Sequence, residues 1–348
     1  VKVLITGATG RMGTHLAARL TDGGHTVVAL VMPGDPFVDR IAGYAERVVT
    51  GAIRNTDALS AAVDGVDAIC HLASTLITRG HGDRESFDTI LGGTFDLLNT
   101  ARERGAALQR FVAVSTAGVY IGDRLAGPRF LPVDETHPIG TSNVYSASKL
   151  GAEHLTLTFW RAYGIPAAIV RPTDTAEPWE FVDKASFLGK RFFLSGHLAR
   201  LAQPPASEAE AALGRELKRL IPGGEQVVTL RHPGGPARMI TLNDARDAAA
   251  GIALVLESPN AVGEVFNIGP AESYPEDEVG RHLATRLGME HHSIETPLLP
   301  DWTFGSLKAQ SVLGYRPQHT VFDMIDEAVP GADPAELRSL SSAAGKTS

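Results

Sequence analysis

Residues 1–13 read VKVLITGATGRMG, and this stretch decides the fold. Val1, Val3, Leu4 and Ile5 form a short, β-rich apolar run, the pattern of a strand buried on both faces. Gly7, Gly10 and Gly13 follow at intervals of three, and LAARL then opens a helical pattern. In the order strand, glycine turn, helix, residues without a Cβ let backbone N–H groups approach a pyrophosphate at the positive end of the helix. An unliganded glycine-rich turn has the same local pattern, so the rest of the chain has to decide between them.

Composition narrows the choice. The 348 residues suffice for two domains of roughly 150 residues each, or for one large α/β unit with an appended lobe. A net charge of −8 gives no footprint for nucleic acid, so none is expected as a partner. The single cysteine, Cys70, lies in the apolar run VDAICHLA, which excludes an internal disulfide and fits a reducing compartment. No stretch reaches the roughly 18 apolar residues of a membrane span, and position 1 already begins the first strand. The expectation is a cytoplasmic protein without a membrane partner.

Beyond the glycine turn the alternation continues. A helix runs to about Asp22, HTVVALVM supplies a second strand, Val48 to Gly51 a third, TDALSAAVDG a helix capped by Asn55 or Thr56, and VDAICHLAS a fourth strand. Neither Val31 nor Met32 can bind an adenosine ribose, so Arg11 or Asp35 is left for that role. His71 has apolar neighbours and no second ligand at metal spacing, and His291 and His292 are adjacent in sequence. His71 therefore reads as structural or cofactor-lining, and no metal site is expected. Ser86 to Arg104 reads as one long helix, and RFVAVSTAGVY as a buried strand ending in Ser115 and Thr116.

The segment NVYSASKLGAEHLTLTFWRAYG then changes the weight of the argument. It reads as a helix starting near Ser142 or Asn143 and ending at Gly164, with Tyr145 and Lys149 four residues apart. Four residues are about 6 Å of rise and nearly one turn, so both side chains leave one face. An ammonium there favours phenolate and is expected to lower the phenol pKa toward working pH, as a general acid-base requires.

With these pieces in hand, the chain resembles the extended branch of the short-chain dehydrogenase/reductase superfamily, the NAD(P)-dependent epimerases, dehydratases and reductases. The matching segments are TGATGRMG (6–13), HLAS (71–74), VSTAGVY (114–120), PVDETHP (132–138), YSASK (145–149) and RP (171–172). ARMITLNDA (237–245), EVFNIG (264–269) and LGYRP (313–317) complete the order over roughly residues 1–325. The resemblance implies a doubly wound parallel Rossmann-type α/β sheet over residues 1–172, with segments near 237–269 returning to it. It also implies a smaller C-terminal α/β substrate lobe, mainly residues 173–330. For catalysis it implies Tyr145 as acid-base, Lys149 on the nicotinamide ribose, and Thr116 bonding the reacting oxygen. For NAD or NADP it implies contacts from Gly7, Thr9, Gly10, Arg11, Met12, Gly13, Ala52, Ile53, Leu72, Ala73, Ser74, Tyr145, Lys149, Pro172 and Thr173. A homodimer is implied through the two long helices.

Departures from the family pattern refine this. Ala52 stands where an aspartate often contacts adenine, and Ile90 where many relatives have an asparagine of a proton relay. Ala117 and Gly118 replace the acid pair of sugar-nucleotide dehydratases, which argues against dehydration. IPAAIVRP is a sixth parallel strand, followed from Thr173 to about Gly224 by an irregular, partly helical excursion broken at Pro204-Pro205. Arg238 matches a phosphate-clamping arginine of nucleotide-sugar relatives, but PLLPDWTFGSLKAQ contains no second one. Asp174 replaces a neutral amide. A carboxylate repels a diphosphate and accepts hydrogen bonds from hydroxyls, so Thr116, Asp174 and Arg238 are expected to meet a sugar-like substrate, uncharged or singly anionic. VFNIG returns to the sheet, EDEVGRHLATRLG and VFDMIDEAV are helices, and 331–348 reads as a polar tail whose Gly345-Lys346-Thr347 lacks the rest of a phosphate loop. The functional expectation is an NAD(P)-dependent oxidoreductase or epimerase acting on a sugar or nucleotide sugar. Simple alcohol or ketone oxidoreduction on a non-nucleotide substrate is the alternative within enzymes, and a non-catalytic dinucleotide sensor the alternative outside them.

Overall fold

The computed structural model describes residues 1–75, 82–122, 127–201, 207–297 and 301–329. Strand β1 (Lys2–Thr6) leads through the glycine turn into α1 (Arg11–Asp22), then β2 (Thr26–Val31), β3 (Ala45–Thr50), α2 (Thr56–Val63) and β4 (Ala68–His71). The next helix starts at α3 (Asp83–Ser86), widens into a π turn over Phe87–Gly92 and resumes as α4 (Gly93–Glu103). The long helix expected from Ser86 is thus continuous but not uniformly α. β5 (Arg110–Val114), α5 (Val144–Tyr163) and β6 (Ala167–Pro172) follow.

Seven parallel strands form the central sheet, with β11 (Val265–Ile268) returning to its far edge after β7 (Asp174–Ala176), β8 (Val227–Arg231), β9 (Met239–Ile240) and β10 (Leu242–Asp244). The order is β11-β6-β5-β4-β1-β2-β3. Parallel strands covered on both faces should be continuously apolar, and β4, β5 and β6 are buried at every position. At the edge of the sheet, β3 instead alternates between half-buried and exposed. One face packs Leu16, Leu20 and Ile252 against the strands, and the other packs Leu59, Leu97, Leu98 and Phe159. The direction of winding reverses between β1 and β4, which puts the ligand crevice of a doubly wound sheet at their carboxyl ends.

After β7 the chain forms a 3-10 turn (Pro178–Phe181), α6 (Gly189–Phe192), α7 (Leu194–Arg200) and α8 (Glu208–Leu220). The excursion is more helical than its sequence suggests. Helix α9 (Ala245–Glu257) covers the main sheet beside α1, whereas β12 (Tyr274–Pro275), α10 (Glu276–Leu287), β13 (His291–Glu295), α11 (Leu307–Leu313) and α12 (Val321–Ala328) complete the chain. Phe181, Phe192, Ile240, Leu283, Met324 and Ile325 form a separate apolar core for the lobe. The Pro204-Pro205 break and the 331–348 tail lie outside the described residues.

Candidate active site

The glycine turn is built by close approach. Gly7 has φ +73°, and a Cβ there would sit 2.9 Å from the Ala73 amide nitrogen. A Cβ on Gly13 would be only 2.2 Å from the Gly7 carbonyl oxygen. Gly10 is the N-cap of α1, with extended backbone, no side-chain cap and no acidic residue in the first turn. The helix ladder begins at Thr14 N→Gly10 O, 3.0 Å, which leaves the N–H groups of Arg11, Met12 and Gly13 outside it at the positive end of a helix dipole. That is the donor set a pyrophosphate requires, so the residues present fit a dinucleotide.

The remaining cofactor candidates divide by where their side chains go. Thr9 Oγ1 donates to Asp35 Oδ2 at 2.6 Å, and the Arg11 guanidinium is bound by Glu180. Met12 and Leu72 pack under the turn against the core, and Ala73 packs on the opposite side of the sheet. Ile53 is buried against Gly93, where a Cβ would come within 2.8 Å of its Cγ2, so its side chain belongs to the core; Ala52 stays half-buried. Pro172 ends β6, and Thr173 continues its path with N–H to Ile268 O at 3.0 Å.

His71 is structural, and its proton can be assigned. Ala73 N–H donates to Thr6 Oγ1 (3.2 Å), whose hydroxyl donates to His71 Nδ1 (2.7 Å). The Thr94 hydroxyl donates to Ile90 O (2.6 Å), so its oxygen receives His71 Nε2–H (3.0 Å). Burial, reinforced by the Lys149 charge, pushes the histidine down to about 3, so it stays neutral. Ile90, where the family relay asparagine is replaced, is buried and contributes only its carbonyl to this chain.

The catalytic candidates meet at the carboxyl ends of β4 and β5. Asn143 caps α5 by accepting from Ser146 N at 2.8 Å, and Gly164 at φ +74° ends it. The start of the helix lies against the turn after β5: a Cβ on Gly118 would be 3.0 Å from Ser146 Oγ and 3.3 Å from Thr116 Oγ1. Thr116 is half-buried and accepts from Gly118 N at 3.1 Å. Lys149 is buried and donates from Nζ to Val114 O at 2.7 Å. Burial, partly opposed by the Glu153 charge, pushes its ammonium down to about 8.

Tyr145 departs from expectation. Burial raises its hydroxyl above the ordinary value, and the opposing influence is a hydrogen bond with Ser74. The Lys149 ammonium is hydrogen-bonded to Val114 O, and burial of the phenol outweighs what lowers it. Below Lys149 is a cavity with room for about one water, bordered by His71, Thr94, Ser115 and Glu153. Ser115 Oγ is buried there with no hydrogen-bond partner among the described residues.

A buried polar chain that the sequence reading missed supports this corner. Arg171 holds both carboxylate oxygens of Glu153, at 2.9 and 2.6 Å, and donates to Tyr120 Oη at 2.8 Å. Tyr120 in turn donates to Asn267 Oδ1 at 2.8 Å, and Asn267 N donates to Glu135 Oε1 at 2.6 Å. The signal was present: Glu153 follows Lys149 by four residues on the same helix face.

On the lobe side, Asp174 keeps 57% of its side chain exposed. Its pKa is raised by burial, against the pull of Arg191 and Arg11. Arg191, which no motif singled out, lies 3.8 Å from Asp174 and 2.9 Å from Glu276. Arg238 lies 3.9 Å from Asp301, itself 3.4 Å from His232. Among the described residues no group of three histidines, cysteines or carboxylates could hold a metal, and no described helix is long and apolar enough to cross a membrane.

A parallel doubly wound sheet, an uncapped glycine turn at its switch point, and a tyrosine and lysine one helical turn apart define a dinucleotide-binding enzyme of the short-chain dehydrogenase/reductase type. Residues 3–269 match the NAD dependent epimerase/dehydratase family, and the chain belongs to it. It is 27% identical to a 3 beta-hydroxysteroid dehydrogenase/Delta 5-->4-isomerase of Mycobacterium tuberculosis, over 94% of this chain and 90% of that one. It is 26% identical to an uncharacterized UDP-glucose epimerase of Bacillus subtilis, over 93% and 95%. A solved short-chain dehydrogenase/reductase superfamily protein from Agrobacterium tumefaciens with bound NAD superposes with a TM-score of 0.82 at 28% identity, covering 99% of this chain and all of that one.

Proposed function

We propose that this chain is an NAD-dependent oxidoreductase or epimerase that moves hydride at a secondary alcohol or ketone carbon of a polar, sugar-like substrate. The observation that supports the reading is Lys149, buried on the Val114 carbonyl one helical turn from Tyr145, in a sheet whose β1 runs into the uncapped glycine turn. The backbone N–H groups of Arg11, Met12 and Gly13 would hold the pyrophosphate, and Lys149 the nicotinamide ribose. When bound, the nicotinamide supplies or accepts the hydride.

The chain's own groups handle the proton. Burial keeps Tyr145 protonated at neutral pH, so the phenol starts as the acid that donates to a carbonyl oxygen. In the opposite direction it takes the proton of a hydroxyl, a step that requires the Lys149 ammonium, still mostly charged below about 8, to turn from the Val114 carbonyl toward the phenolate. Thr116 hydrogen-bonds the reacting oxygen and fixes its distance from Tyr145.

The cleft favours a polar substrate without a diphosphate. Arg191, Arg200 and Arg238 act on one another electrostatically and are matched by Asp174, Glu276 and Asp301, so no cationic surplus remains for two phosphates. The same side chains disfavour a sterol, whose rings would strip water from charges and return no hydrogen bonds. Asp174 and Arg191 suit the hydroxyls, and at most one anionic group, of a sugar or sugar acid. We further infer that two copies pair through α4 and α5, where Phe95 and Tyr163 are 46% and 55% exposed and linked through Phe159.

A panel of sugars, sugar acids, nucleotide sugars and hydroxysteroids, followed by the absorbance of reduced nicotinamide and by product analysis, tests this reading. Net change in reduced cofactor identifies a dehydrogenase, and product without net change an epimerase. Tyr145→Phe is expected to bind NAD normally and to lose about 10²–10⁴-fold in kcat. Full turnover by that variant would overturn the role of Tyr145.

A further inference from the structure

The sequence left Arg11 and Asp35 as rival readers of the adenosine ribose, and the structure gives them opposite fates. Arg11 opens α1 directly after the glycine turn, and an arginine near the adenosine ribose is what accommodates a 2′-phosphate. Its guanidinium, however, donates from Nε and Nη2 to the two oxygens of Glu180 at 2.5 and 2.6 Å. Glu180 is fully buried, on the 3-10 turn that begins the excursion after β7. Two parallel charge-assisted bonds to a carboxylate excluded from water form the geometry in which a guanidinium is held most firmly.

The second arginine at the turn is committed in the same way. Arg40 Nη2 donates to Glu177 Oε1 at 2.5 Å, and Nη1 reaches Thr9 O at 3.5 Å. Glu177 is also buried, with His15 at 3.3 Å and Trp179 Nε1 at 3.0 Å against it. Asp35, by contrast, keeps a carboxylate beside the turn: Oδ2 accepts from Thr9 Oγ1 at 2.6 Å and Oδ1 from Phe37 N at 2.9 Å. Two arginines, Arg11 and Arg40, thus face three carboxylates, Asp35, Glu177 and Glu180. The corner is anionic by one charge when all are ionised, and a phosphate dianion would enter against it.

We propose that Glu180 is the residue that sets cofactor choice: by engaging Arg11 from the lobe side it denies a 2′-phosphate its cation, while Asp35 accepts the free ribose hydroxyls. The chain therefore discriminates against NADP by neutralising its own glycine-turn arginine. This rests on the reading that the crevice binds a nicotinamide dinucleotide. Glu180 touches neither substrate nor nicotinamide and acts through Arg11, so it is a positioning residue.

Equilibrium binding of NAD and NADP, by calorimetry on the whole chain, tests it without any substrate. The unmodified protein is expected to bind NAD at least about tenfold more tightly than NADP. Glu180→Gln, nearly isosteric, releases the guanidinium and should tighten NADP about tenfold, the scale of one charge-assisted bond, while leaving NAD within about threefold. The Glu180→Gln/Arg11→Gln double variant should lose that gain. In an otherwise unmodified chain, Arg11→Gln should cost NADP no more than about threefold, the effect of removing a screened charge, because the guanidinium's hydrogen bonds are already engaged. Three results would overturn the proposal: equal NAD and NADP affinities in the unmodified protein, no gain for NADP in a Glu180→Gln protein that still binds NAD, or a tenfold loss of NADP affinity in Arg11→Gln. If Glu180→Gln does not fold, the Arg11→Gln result decides alone. Binding of neither nucleotide by the unmodified protein would count against the functional reading, not against this choice of residue.

Discussion

Replacing Glu153 by glutamine should weaken the protein and also retune its active site, because this carboxylate serves two cations. It is buried, chelated by the equally buried Arg171, and one helical turn from Lys149. Removing one partner of a buried ion pair leaves the other charge uncompensated, a loss of about 3–5 kcal/mol. At ~2–4 °C per kcal/mol this lowers the melting temperature by roughly 6–20 °C. The Glu153 charge also opposes the desolvation that pushes Lys149 down to about 8 from its ordinary 10.5. Without it the ammonium deprotonates at lower pH. Because the folded value lies below the unfolded one, the charged lysine burdens the fold below about pH 8, and that burden is relieved as pH rises toward 10.5. The variant enlarges the burden at neutral pH and moves the alkaline limb of kcat/KM to lower pH, by about one unit, the scale of a single charge one helical turn along in a medium of effective dielectric ~20 and partly offset by Arg171. Thermal melts and a pH–rate profile measure the two effects. Glu153→Met/Arg171→Met separates them: an apolar pair should recover much of the melting temperature and leave the alkaline limb displaced. A Glu153→Gln protein with unchanged melting temperature and unchanged limb would refute the reasoning.

Three further outcomes follow from the described geometry. Gly13→Ala puts a methyl 2.2 Å from the Gly7 carbonyl and should abolish NAD binding measured by calorimetry, even where circular dichroism shows a folded protein. Burial alone would raise Glu177, but His15, Arg40 and Trp179 hold it down to about 2, so its contribution is present above the usual carboxylate range and is lost as pH falls through that range toward 2. Acid titration of Glu177→Gln should accordingly show a smaller loss of stability between about pH 5 and 2 than the parent chain. Phe95→Glu places a carboxylate on the exposed α4 face and should give a monomer by sedimentation, whereas an unmodified chain that is already monomeric would exclude pairing there.

The elements that periodicity reads well were the legible ones. The buried strands announce themselves as runs of Val, Ile and Ala, and Asn143 and Gly164 mark the ends of α5 in the sequence. Contacts between segments distant in sequence were not legible. Nothing near Arg11 says that Glu180, 169 residues away, will take its guanidinium, nor that Arg191 will stand beside Asp174. The expected lowering of the Tyr145 pKa failed for a related reason. Helical spacing put an ammonium on the same face, but the Val114 carbonyl that turns it aside belongs to β5. Asn267, in a motif read only as a strand, became a partner of Tyr120 through pairing of β11 with β6.

The π turn at Phe87–Gly92 has a consequence for how this helix is wired. One residue advances an α-helix by about 100°, so a single widened turn resets the phase of everything after it. Ahead of it, Ser86 meets Thr75 at 3.1 Å, and within it the Ile90 carbonyl terminates the His71 chain. Beyond it, Leu97, Leu98 and Ala101 face the sheet. Deleting one residue between 87 and 92 would make the helix regular and leave the composition nearly unchanged, yet it would rotate one of these two sets away from its target. The extra residue acts as a phase shifter, allowing a single rod to serve the crevice at one end and the hydrophobic interior at the other.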